Sequence, residues 1–104
     1  MTKFDFSVLY DQYPAIISQM PPVFDSHHFI LELARQNQVA YVRALHAYLD
    51  PIGDDTPAPF QVVHGILAKK LNDFPDLVKL VRFDKPSIDI FGNSNGCAEW
   101  RKLN

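Results

Sequence analysis

The chain has 104 residues, of which 47% are apolar and 21% charged, and its formal net charge is −2. That length supports one domain around one small core, and the slight negative charge excludes the strongly basic balance usual in high-affinity nucleic-acid binders. The single cysteine, Cys97, excludes an intrachain disulfide framework and fits a reducing compartment. With no basic-then-apolar leader and no apolar run of membrane-spanning length, the expectation is a soluble cytoplasmic protein with no membrane contact.

Phe6, Leu9, Tyr10 and Tyr13 recur at helical spacing and predict a short first helix over 6–13. Pro14 stops it or opens a second turn through Met20, and Pro21-Pro22 ends that segment. Asp25-Ser26 supplies an N-cap for the next helix. Phe24, just before the cap, is placed as a hydrophobic staple against Phe29. Phe29, Ile30, Leu33 and Ala34 form the apolar stripe. The polar tract Arg35-Gln36-Asn37-Gln38 predicts a break, with Asn37 able to serve as a left-handed cap. The period resumes with Tyr41, Val42, Leu45, Tyr48 and Leu49, and Asp50-Pro51 closes it.

A turn-rich loop follows, in which Asp55 or Thr56 can cap the helix Pro57–Asn72. Phe60, Val63, Leu67 and Leu71 share its apolar side. Gln61, His64, Gly65, Ala68, Lys69 and Asn72 share the other. Leu77 to Phe83 reads as a strand, Asp84-Lys85-Pro86 as a turn, and Ser87 to Phe91 as an alternating strand. Gly92 to Gly96 has strong turn chemistry, and Cys97 to Lys102 predicts a last short strand carrying Trp100. The expected architecture is a single α+β domain: a helical N-terminal two-thirds, then a small antiparallel sheet or hairpin.

Charge divides unevenly along this plan. Residues 1–60 carry three basic and seven acidic side chains, and residues 61–104 carry seven basic and five acidic. The basic excess therefore lies in the helix-plus-strands half. Gln61, His64 and Lys69 on the polar helix face have the reach to contact base edges or phosphates, and Gly65 and Ala68 permit close backbone approach. Lys79, Arg82 and Lys85 surround the predicted 84–86 turn, where Lys85 would touch a phosphate at the tip. The plainer alternatives are a solvated or helix-packing face and a hairpin whose charges protect its edge.

No other cluster names a reaction. His27, His28, His46 and His64 show no ligand spacing, so no metal is expected. Cys97 has no visible base and reads as a small strand residue rather than a nucleophile. Asp54-Asp55 read as solvent-facing cap residues. No cofactor motif and no catalytic set emerge.

The run Phe24-Asp25-Ser26-His27-His28-Phe29-Ile30, the segment Phe60-Gln61-Val62-Val63-His64-Gly65 and the ending Phe91-Gly92-Asn93 with Glu99-Trp100-Arg101 resemble a group of small prokaryotic proteins of unestablished function. That resemblance implies a compact α+β architecture. The element order over residues 25–102 is similar to a winged helix-turn-helix, apart from a longer loop from Asp50 to Pro59. It implies a non-enzymatic module that binds double-stranded DNA weakly or as a dimer, with Gln61, His64 and Lys69 in the groove and Lys79, Arg82 and Lys85 at the backbone. A protein-interaction module, homodimeric in its simplest form, is the second expectation. It would use Phe91, Trp100 and the small-residue helix face.

Overall fold

The computed structural model describes residues 4–49 and 59–103. Its elements run α1 (Ser7–Tyr10), α2 (Tyr13–Gln19), β1 (Val23–Asp25), α3 (Ser26–Gln36), α4 (Gln38–Ala47), α5 (Pro59–Lys70), a 3₁₀ turn (Leu71–Asp73), β2 (Val78–Ile88) and β3 (Ser94–Lys102). The fold is α+β, with helices first and an antiparallel sheet at the C-terminal end. The sheet recruits β1 from between the helices, in the order β1-β3-β2.

The first predicted helix divides in two. Asp11 closes α1, and α2 starts at Tyr13 with Pro14 in its first turn, where a missing N–H costs nothing. Tyr13 is fully buried at the meeting point of α2, α3 and α5. Its hydroxyl donates to the Leu67 carbonyl at 2.6 Å, and its ring lies 4.7 Å from Phe29 and 5.3 Å from Phe74. Burial raises the Tyr13 phenol well above its ordinary pKa, so it remains a neutral donor.

The α3 start follows the sequence closely. Asp25 Oδ1 accepts from the His28 backbone N–H at 2.8 Å, and the Phe24 and Phe29 rings stack at 6.3 Å. Burial pushes the Asp25 carboxyl up. The His28 N–H, the Ser87 hydroxyl and Lys85 outweigh that and hold it below its ordinary value. The break before α4 falls at Asn37, but its φ of −137° is not left-handed. The Asn37 side chain instead donates to the Leu33 carbonyl at 3.1 Å. The expected caps Asp54, Asp55 and Thr56 lie outside the described residues.

The sheet departs most from expectation. Asp84-Lys85-Pro86 is not a turn but part of β2, which pairs with β3 from Val78↔Lys102 to Ile88↔Ser94. Register shifts between Leu80 and Arg82, and between Arg82 and Lys85, mark two bulges. An extra residue at each bends the strand without ending it. Pro86 is tolerated because β2 is an edge strand. The reversal falls at residues 89–93 instead. There Asp89 Oδ1 accepts from the backbone N–H groups of Phe91 and Asn93, both at 2.9 Å. Gly92 takes φ +86°, a conformation that favours glycine.

Across the sheet, Trp100 faces Phe24 on one side and Leu80 on the other. Its indole Nε1–H donates to Ser26 Oγ at 3.0 Å, with both residues buried. Ser26→Ala would leave that N–H without an acceptor, at a cost of about 1–3 kcal/mol. Asp25→Asn keeps a capping oxygen and a partner for Ser87 and should cost less. Thermal unfolding of the two variants should therefore rank Ser26→Ala below Asp25→Asn. The reverse order would contradict the weight given to the indole bond.

Candidate functional site

The polar face of α5 is exposed but lies opposite the β2–β3 hairpin. With the start of α3 and the inner side of β2–β3, it lines a cleft of about 420 Å³. Ile30 and Trp100 form the floor. Gln61, Gly65, Ala68, Lys69 and Asn72 form the helix wall, Leu80 and Phe83 the wall from β2, and Asn95 to Ala98 the wall from β3. The helix periodicity explains this grouping: Val63, Leu67 and Leu71 are buried in the core, so residues about half a turn away face the hairpin.

His64 departs furthest from its expected exposure on the polar face of α5. It is only 9% exposed, and its Nε2 forms a 2.5 Å hydrogen bond with the Tyr41 hydroxyl. Its ring stacks on Phe91 at 5.9 Å and 5°, with Phe60 at its edge. Burial lowers its pKa to about 4, against a smaller opposing pull from Asp89. Burial also pushes Tyr41 up to about 12. At neutral pH this is an uncharged, buried pair that fixes the aromatic wall of the cleft, rather than the exposed side chain expected on α5.

The other basic and polar residues expected to act with it separate. Gln61 and Lys69 are exposed on the cleft wall. Lys79 is exposed but alternates with Val78 and Leu80, so it projects from the opposite face of the sheet, across from Arg101. Arg82 pairs with Glu99 at 3.6 Å. Lys85 lies inside β2 rather than at a tip, and it pairs with Asp25 at 3.5 Å and Glu99 at 3.7 Å. Trp100, expected at an interaction surface, is 3% exposed. The structure thus brings Gln61, His64 and Lys69 together around one cleft and leaves Lys79, Arg82 and Lys85 outside it.

No local sequence pattern marks Asp89 or Asn95 as cleft residues. Asp89 is buried, and its carboxylate is consumed by two backbone N–H groups and the Asn95 amide. The Asn93 N–H leads in holding its pKa below the ordinary value, despite the opposing effect of burial. His27 Nδ1 lies 3.0 Å from Ser87 Oγ, which itself donates to Asp25 at 2.9 Å. Cys97 is half-buried at the cleft rim. Among the described residues, no three His, Cys, Asp or Glu side chains converge as a metal site. No helix among them is long and apolar enough to cross a membrane. Comparison with protein-family models, curated proteins and solved structures returned no match.

The His64 geometry fixes the sign of a pH effect. Its folded pKa lies below its unfolded value, so the unfolded chain binds more protons between about pH 6.5 and pH 4. The stability contributed by neutral His64 is complete above pH 6.5 and lost as the pH falls toward 4. Denaturant titrations across that range should show stability falling with acidity, and His64→Phe should flatten the slope. An equal slope in the variant would place the titrating group elsewhere.

Proposed function

We propose that this chain is a non-enzymatic, winged-helix-like protein-interaction module that pairs through its β2 edge, in its simplest form with a second copy of itself. The observation that carries the reading is the apolar surface of β2 and the hairpin end. Leu80, Val81, Phe83, Ile88 and Phe91 are all exposed, Phe83 by 78%. Four of these lie on the edge strand β2 and Phe91 in the turn beyond it, and such a run of apolar surface is costly to leave in water. An edge strand also offers unpaired backbone groups to a partner. The ion pairs of Arg82 and Lys85 reduce the charge that would otherwise protect that edge. The winged-helix description is supported by the element order and by the sheet order β1-β3-β2, with the hairpin beside α5.

Duplex DNA is the second reading, supported by the same element order and by exposed Gln61, Lys69 and Lys79. Arg82 and Lys85 are engaged by carboxylates and His64 is buried, so the contact set is small. With about two phosphates neutralised, by Lys69 and Lys79, log K would fall against log salt with a slope of about −2.

Sedimentation equilibrium separates the two. The interaction reading predicts an apparent mass that rises with protein concentration, and a monomer for Phe83→Ser with Ile88→Ser. Both substitutions are at exposed sites, so the variant should keep the wild-type circular dichroism. A strictly monomeric wild type, together with salt-dependent anisotropy of a labelled duplex that is lost in Lys69→Glu, would overturn it in favour of DNA.

A further inference from the structure

The cleft holds space that the fold does not need. Its volume of about 420 Å³ falls within the ~300–1,000 Å³ typical of small-ligand sites. Three elements enclose it: α5, the start of α3, and the β2–β3 hairpin. The aromatic wall is held in place, because Phe60 packs on Phe91 at 4.8 Å and His64 stacks on the same ring.

Two further features define what would fit. Gly65 lies inside α5, where glycine is a poor helix former. A Cβ built there meets nothing within 4 Å, so the position opens onto free space. Charge supplies the second feature. Asp89 is already satisfied within the turn by three hydrogen bonds. Lys70 is paired with Asp73 and lies over the Tyr10 ring. Lys69, by contrast, lines the cleft with no ion-pair or side-chain hydrogen-bond partner among the described residues.

We propose that this cleft is a binding site for a small aromatic anion. The ring system lies in front of Gly65, against Phe60 and above Trp100. The negative group meets the Lys69 ammonium, and the Gln61 amide hydrogen-bonds the polar edge of the ring. Burial of the flat apolar surface supplies most of the affinity, and the uncompensated cation selects anions over neutral rings. The proposal does not require pairing through β2; Leu80 and Phe83 belong to both surfaces, so its test variants are placed on α5, away from the β2 edge.

The probe is anilinonaphthalene sulfonate, an aromatic anion, titrated into the full chain. Trp100 is the chain's only tryptophan and forms part of the cleft floor, so energy transfer from it reports occupancy. The expected result is saturable binding at one site per chain with quenching of Trp100. Gly65→Leu fills the space and Lys69→Gln removes the cation, and each should weaken binding about tenfold or more. Arg101→Gln, outside the cleft, should leave it unchanged. Circular dichroism and thermal unfolding establish that the variants are folded; Gly65→Leu replaces glycine with a strong helix former at an open position. Absence of saturable binding, or binding at several sites that Gly65→Leu leaves intact, would overturn the proposal.

Discussion

The indole N–H of Trp100 is the constraint on which the site depends. Burying so large a side chain favours the fold, but its N–H must find an acceptor away from water. Ser26 provides one at the first residue of α3. Because Ser26 follows Asp25, which both caps α3 and ends β1, a single short segment ties helix, strand and indole together. The pairing Phe24↔Trp100↔Leu80 then carries β2 into place beside α5. The cleft is the gap left between that hairpin and the helix.

Electrostatics inside this arrangement are largely self-compensating. Asp25 and Glu99 accept Lys85, and Glu99 accepts Arg82. Lys102 donates to the carbonyls of Ser18 and Met20 at the end of α2. Charges that sequence arithmetic assigns to a basic half thus serve to hold the sheet against the helices. Partly exposed pairs of this kind contribute little energy individually, but they remove cations from the inventory available to a phosphate backbone. What remains outward is apolar, on β2 and the hairpin end, or cationic, at Lys69 on the cleft wall and at the neighbouring Lys79 and Arg101 on the other face of the sheet.

The helical part was legible in the sequence for definite physical reasons. Asp25, Phe24 and Phe29 form a local cap and staple, and the Val63, Leu67, Leu71 spacing shows directly which side of α5 is buried. The hairpin was less legible. Asp84-Lys85-Pro86 has turn composition, but an edge strand with bulges accepts a proline and a charge pair, and the partner register that decides this is nonlocal. The Gly92-Asn93 signal was sound in kind. It marked a turn that Asp89 starts three residues earlier than expected, because a carboxylate can gather the N–H groups of residues 91 and 93. His64 illustrates the limit at the site. Its helical phase groups it with Gln61 and Lys69, but Tyr41 from α4 captures it, and no pattern within α5 foretells that contact.

The central claim is that the working surface of this protein is the side formed by β2, the hairpin end and the α5 cleft, and not the side formed by α4, where Val39 and Val42 are also exposed. Amide chemical-shift mapping between dilute and concentrated protein tests it most directly. The account predicts concentration-dependent shifts at Leu80 to Ile88 and at Phe91, with Val39 and Val42 unmoved. Shifts confined to α4, or a spectrum that does not change with concentration, would contradict it.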